Sequence, residues 1–286
     1  MKTKTCGVLS SAVLGLLLAP QANAQFGSEP AELELVKVRD DLYVIGNPYV
    51  PGLTTALVTD EGVLLVDDKY EIDHDNIMAM LKTVTTQPVK YVINTHYHGD
   101  HSGGNAKLQM KDAIAVASDQ ARVRMVAGNQ PGLPNFTFGD HAAIYIGGKP
   151  VELYRVGPAH TDGDVIVLFP EHRVIATGDV FTNGAGTSAQ LVDHAGGGSA
   201  KTWPQAVAAA LALEEFDTVI PGHGEVVTRA ELEAYHDQTA RFSALLSEMV
   251  RQGKSRAEIE ALVRSQFAWE DFHVQMGLDG LINEFR

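Results

Sequence analysis

The sequence predicts an α/β (α+β) fold in which two βα halves pair as a sandwich of sheets with helices outside. In each half, short apolar runs bounded by turn residues crowd the front and helical spacing takes over at the back. Beyond Arg229 the pattern turns wholly helical, so a helical tail follows the sandwich. With 45% hydrophobic residues among 286, the chain can bury a full core and is neither disordered nor fibrous.

Leu35 to Val38, Leu42 to Ile45, Thr54 to Thr59 and Val63 to Val66 read as strands, with hairpin turns at Arg39-Asp40-Asp41 and Asp60-Glu61-Gly62. Asp73 is placed to cap a helix in which Ile77, Leu81 and Val84 recur at i, i+4 and i+7, ending near Gln87-Pro88. A buried strand, Val89 to Asn94, follows. Helix, strand and helix then repeat over Asn105 to Met110, Ile114 to Ala117 and Asp119 to Val126. Gly128 to Gly139 is a long loop whose Leu133, Phe136 and Phe138 suit either a substrate wall or packing.

The second half opens with two hairpins, His141 to Ile146 with Val151 to Val156, and Val165 to Phe169 with Arg173 to Thr177. A Gly-rich loop from Thr182 to Ser199, a helix from Trp203 to about Glu214 and the strand Thr218 to Ile220 complete it. Arg229 to Phe267 reads as two helices parted by Gly253-Lys254-Ser255, an element for packing or for a two-fold contact in a homodimer.

Lys2 and Lys4 precede the apolar run Val8 to Ala19, and Ala22-Asn23-Ala24 supplies a small-x-small cleavage site, so residues 1–24 read as a secretory signal peptide. The run is short of the roughly 20 residues that span a bilayer, which leaves no membrane anchor after cleavage and a periplasmic or secreted product. Residues 25–34 are then a polar leader, 35–227 the chemical unit and 228–286 C-terminal helices packed on it. Cleavage removes two lysines and the single cysteine, Cys6, and turns a net charge of -14 into -16 (20 basic against 36 acidic side chains). Such acidity excludes a grip on nucleic-acid backbones. A metal site in this chain must use His and carboxylates.

The strand from Tyr91 runs into Thr95-His96-Tyr97-His98-Gly99-Asp100-His101, four potential ligands in six positions. Side chains alternate along an extended segment, so His96, His98 and Asp100 can face one side, with His101 turning in beside them. Three more clusters end predicted strands: His160 in Gly157-Pro158-Ala159-His160, Asp179 in Thr177-Gly178-Asp179, and His223 in Pro221-Gly222-His223-Gly224. Seven ligands suffice for two zinc ions at four or five coordination once an oxygen is shared; iron or a mixed pair is the other option.

This string with its three later partners resembles the metallo-β-lactamase-fold hydrolase superfamily, over residues 35–227. The resemblance implies an αββα sandwich with the site at one edge of the two sheets. It implies His96, His98 and His160 on a first metal, Asp100, His101 and His223 on a second, and Asp179 bridging both. Asp67 resembles the family's acid that orients a ligand histidine, and Thr95 sits beside the motif in a similar place; each is equally readable as an ordinary strand terminus. The family's β-lactamases with cysteine on the second metal do not fit. Those with histidine there match at His101 but typically lack an acid at the Asp179 position, which is the habit of ester, lactone and thioester hydrolase branches.

The expected function is therefore exported, zinc-dependent hydrolysis of an acyl carbonyl (ester, lactone, thioester or amide) by a metal-bridging hydroxide, with Asp100 holding the second metal and orienting that hydroxide. Two metals, two aspartates and a hydroxide leave about +1 on the site, suiting a small acyl substrate with a carboxylate or developing oxyanion. His194 in the Gly-rich loop is a candidate to reach substrate, while His74, His141, His172, His236 and His273 have no supporting spacing and read as structural. Three alternatives stay open: a β-lactamase, a mononuclear iron enzyme like the persulfide dioxygenases, and a non-catalytic metal-binding protein.

Overall fold

Successive side chains of a strand point to opposite faces, and here that alternation divides each apolar run between two cores. Leu64 and Val66 face one way while Val63 and Leu65 face the other, and Val165, Val167 and Phe169 oppose Ile166 and Leu168 in the same manner. Strands covered on both faces read as unbroken hydrophobic runs, which is how they appear in the sequence. The computed structural model that shows this describes residues 29–47, 50–183, 191–213 and 215–286. The expected signal peptide, residues 25–28 of the leader, 184–190 of the Gly-rich loop and Glu214 lie outside the described residues.

One sheet holds β1 (Glu34–Lys37), β2 (Leu42–Gly46), β3 (Thr54–Val58), β4 (Val63–Val66), β5 (Val89–Ile93), β6 (Ile114–Ser118) and β7 (Phe136–Phe138), side by side in that order. It is antiparallel from β1 to β4 and parallel from β4 to β7. The other sheet holds β8 (His141–Ile146), β9 (Lys149–Arg155), β10 (Val165–Phe169), β11 (Val174–Ala176), β12 (Thr218–Ile220) and β13 (Val227–Thr228), also in sequence order, with β11 and β12 parallel. Leu57, Ile93 and Val116 of the first sheet meet Leu153, Val167 and Ile220 of the second in the core between them.

Helices cover both outer faces. Ile77 and Leu81 of α1 (His74–Leu81) fill the outer side of the first sheet; α2 (Gly99–Ser102), α3 (Asn105–Gln109) and α4 (Asp119–Ala127) follow in that half. Over the second sheet lie α5 (Trp203–Leu211), α6 (Arg229–Arg251), α7 (Arg256–Phe267) and α8 (Asp271–Phe285), sharing one core with Ile166, Leu168, Ile175 and Val219. The result is an αββα sandwich with a helical C-terminal region, as expected. Among the described residues no helix is long and apolar enough to cross a membrane.

Four details differ from the expectation. α1 stops at Leu81, because the run Thr83-Val84-Thr85-Thr86 is β-branched and loses rotamer freedom in a helix. Asp73 does not cap α1; its Oδ1 accepts from the backbone N–H of Ala31 at 2.7 Å. The loop from Gly128 to Gly139 contains β7, which puts Phe138 into the core between the sheets and leaves Phe136 at the sheet edge, 54% exposed. The tail holds three helices rather than two. In α8, Val274, Leu278, Leu281 and Ile282 keep helical spacing, but Gly277 and Gly280 within it weaken the propensity signal. The break between α6 and α7 has its own cause: Ser255 and Glu258 cap α7 reciprocally, with 2.9 Å from the Ser255 N–H to Glu258 Oε2.

Candidate metal centre

Parallel strands of an α/β sheet present their carboxyl ends, and the loops leaving them, on one edge. Asp67 follows β4, the motif from His96 to His101 follows β5, Asp179 follows β11 and His223 follows β12, so four strand ends bring their groups together. His160 joins them from the connection between β9 and β10. The two sheets are tied at this edge by backbone bonds, Leu53 N–H to Gly222 O at 2.7 Å and Val165 N–H to Thr95 O at 2.9 Å.

All seven expected ligands meet there. His96 Nε2 and His160 Nε2 lie 3.1 and 2.9 Å from His98 Nδ1, forming one group of three nitrogens. His101 Nε2 lies 3.2 Å from His223 Nε2, and both face Asp100 Oδ2, at 3.8 and 3.5 Å, forming a second group. Asp179 stands between them: Oδ1 is 3.3 and 3.4 Å from the His101 and His223 nitrogens, and Oδ2 is 3.5 Å from that of His160. Donor atoms this close, with Asp179 Oδ1 buried and lacking a hydrogen bond of good geometry, fit bound cations better than one another.

For four of the imidazoles the contact of the far nitrogen fixes which nitrogen is offered. His101 Nδ1 meets Asp67 Oδ2 at 2.7 Å, and Asp67 also accepts from the Thr95 N–H and hydroxyl, each at 2.7 Å. The Thr95 oxygen in turn lies 3.1 Å from His96 Nδ1. His160 Nδ1 donates to the Leu191 carbonyl at 2.6 Å, and His98 Nε2 meets Asp193 Oδ2 at 2.9 Å, where the Tyr97 hydroxyl also donates. Asp67 and Thr95, singled out in the sequence, are thus in contact with the histidines. Asp193 was missed, since a lone acid in a Gly-rich loop carries no spacing signal. Asn94 and Asn105 were missed as well; their amides bond each other at 2.8 and 3.1 Å and hold the start of the motif against α3.

Close approach excludes side chains at two glycines: a Cβ on Gly222 would strike Asp179 Oδ1, and one on Gly52 would strike the His101 ring. Gly52 is anchored by Lys69, a fully buried lysine whose Nζ donates to the Gly52 carbonyl at 2.5 Å and whose pKa burial pushes down to about 7.

Burial drives the His96 imidazole well below its ordinary range and His160 down to about 4, so both are neutral and ready to donate a lone pair. Burial works against the charge on Asp179 too, but His223 and His101 beside it hold its carboxyl well below the usual range. His101 is buried as well, yet Asp179, Asp100 and Asp67 raise it well above its usual value. A cation arriving there displaces that proton.

His98, Asp100, His160, Asp179 and His223 line one cavity of about 870 Å³. Leu191, Val192, Trp203 and Tyr235 also line it, with Phe272, His273 and Met276 of α8. Phe136, Phe138 and Leu133 do not, so of the two readings of the long loop packing holds for Phe138, and the apolar wall comes from the C-terminal helix. His194 lines the cavity, its Nε2 2.9 Å from Glu284 Oε2 of α8. His273, read from sequence as structural, lines it as well.

Comparison with known proteins agrees with this geometry. The model of the Metallo-beta-lactamase superfamily matches residues 49–223. The chain is 26% identical to Metallo-beta-lactamase type 2 of Elizabethkingia meningoseptica over 167 residues, 56% of this chain and 66% of that protein. It is 25% identical to Metallo-beta-lactamase IND-1 of Chryseobacterium indologenes over 218 residues, 74% of this chain and 90% of that one. Among solved structures, a metallo-beta-lactamase from Pontibacter korlensis superposes with a TM-score of 0.65 at 23% identity, covering 73% of this chain and 99% of that one. The DIM-1 metallo-beta-lactamase gives 0.65 at 18%, covering 75% and 100%. At such identities the structural likeness shows the fold. Fold, family match and clustered donors together establish that the chain belongs to the metallo-β-lactamase superfamily of metal-dependent hydrolases.

Proposed function

We propose that this protein is an exported hydrolase that holds two zinc ions and cleaves an acyl carbonyl, in an ester, lactone, thioester or amide, of a small and often anionic molecule. The observation that carries this reading is Asp179, whose two oxygens face the two separate histidine groups, as a bridging carboxylate would. His96, His98 and His160 would hold one ion and Asp100, His101 and His223 the other. Nitrogen and carboxylate donors without thiolate suit zinc, and bound zinc polarises a carbonyl and acidifies a water.

The chain's own residues orient and exclude. Asp100, which lines the cavity, accepts a hydrogen bond from the attacking water and turns it towards the carbonyl. Asp67, Thr95, Asp193 and the Leu191 carbonyl keep His101, His96, His98 and His160 in the tautomer that offers the inner nitrogen. A second reading, hydrolysis of β-lactams, is favoured by the names of the relatives, although those relatives are only 21–26% identical.

The test is metal content by elemental analysis beside turnover of a chromogenic cephalosporin and of ester, lactone and thioester panels, on protein expressed with its N-terminus intact. Two zinc ions per chain, a processed N-terminus and turnover of one class support the proposal. One iron per chain with oxygen uptake, or metal without turnover of any acyl compound, would replace it.

A further inference from the structure

A helix with one apolar stripe buries that stripe and shows water the rest. α8 does not follow this pattern. Val274, Leu278, Leu281 and Ile282 pack into the core above the second sheet, yet Phe272 and Met276, four residues apart, stand 46% and 69% exposed and line the cavity that holds the clustered histidines. Side chains at i and i+4 cover one continuous patch. The second apolar face is therefore presented to the cavity, which Leu191, Val192 and Trp203 also line.

The polar residues that α8 brings to this wall, Glu270 and His273, bond to its own first turn. The Glu270 side chain accepts from the backbone N–H of His273, and His273 Nδ1 accepts from the Glu270 N–H at 3.1 Å, a reciprocal cap that starts the helix. Burial holds the His273 ring below its ordinary pKa, in keeping with a neutral surface. The cavity is thus lined both by the charged, donor-rich cluster and by apolar side chains, two of them from α8, which lies wholly outside the segment matched to the family model.

We infer that α8 makes this protein selective for an amphipathic acyl compound, whose carbonyl or carboxylate sits at the histidine cluster and whose non-reacting part is an apolar chain or ring laid along Phe272 and Met276. The inference rests on the hydrolase reading for the reacting end and on α8 alone for the other. At about 870 Å³ the cavity has room for a group well beyond the acyl carbon itself.

The test uses the full zinc-loaded chain and straight-chain carboxylates from butanoate to decanoate, read by tryptophan fluorescence. Both tryptophans report on the site, Trp203 from the wall and Trp269 from its contact with Gly277 of α8. Affinity should tighten about two- to fourfold per added methylene. In the Phe272→Ser, Met276→Ser double variant the gain should fall below about 1.5-fold per methylene, with butanoate affinity unchanged within about twofold; both side chains are exposed, so the fold should tolerate the change. A series flat with chain length, or a slope that the double variant keeps, overturns the inference. Graded binding without turnover of any acyl compound would sink the hydrolase reading and leave α8 as an apolar wall, whereas turnover with a flat series would do the reverse.

Discussion

Asp67 Oδ2 and His101 Nδ1 lie 2.7 Å apart, both side chains buried, and the same carboxylate accepts from Thr95, whose oxygen touches His96. One acid therefore orients a histidine in each of the two donor groups. Asp67→Asn should weaken both, lowering metal affinity about 10- to 100-fold. Competition titration with a chelating dye measures this; unchanged affinity for both ions would show the contact to be passive.

Asp193 plays the corresponding part for His98 alone, and Tyr97 shares it. Asp193→Asn should loosen one ion and spare the other, so titration should split into a weakened step and an unchanged step. Equal weakening of both steps would mean that the substitution disturbs the whole edge.

Phe138 and Phe136 provide a stability contrast two residues apart. Phe138 fills the core between the sheets, and Phe138→Ala should cost about 3–5 kcal/mol in urea unfolding. Phe136 is 54% exposed, and Phe136→Ala should change stability by under about 0.5 kcal/mol. Neither lines the cavity, so the Michaelis constant of each folded variant should match the parent; a raised value for Phe136→Ala would restore the long loop as a substrate wall.

Asp164 sets a pH dependence. Burial raises its carboxyl to about 7, although the Thr161 N–H and hydroxyl donate to it. In the unfolded chain it ionises near its usual value of about 4, so between about 4 and 7 the folded chain holds a proton that the unfolded chain has released. The stabilisation is complete below that window and is lost as pH rises through it. Asp164→Asn removes the dependence, so stability of the metal-free variant relative to the parent should climb from pH 4.5 to 7 and then level. A difference constant with pH would contradict this.

Much of the architecture is legible in the sequence because strands covered on both faces, such as Val63 to Val66 and Val165 to Phe169, leave unbroken apolar runs. The donor cluster is equally legible, since His96 to His101 occupy six consecutive positions and His160, Asp179 and His223 each follow a predicted strand among turn-forming residues. The groups behind the donors are harder to find. Asp193 reaches His98 from 95 residues away and Asn105 reaches Asn94 from another element, contacts that no local spacing encodes. α8 escaped notice because Gly277 and Gly280 interrupt its propensity, yet each position suits a close neighbour: a Cβ at Gly277 would press on Trp269 and one at Gly280 would meet the His194 ring.

The donors are spread from His96 to His223, and His101 touches His223 across 122 positions of chain. During synthesis, a chain that has not yet emerged through β12 carries only part of a metal site, however well its first sheet has formed. Metal capture by the full donor set would thus mark the docking of the two sheets, because only a molecule with both sheets joined along the edge of Leu53 and Gly222 presents every donor at once. Chains trapped halfway should be metal-poor, and late metal uptake during refolding would time the docking of the two halves.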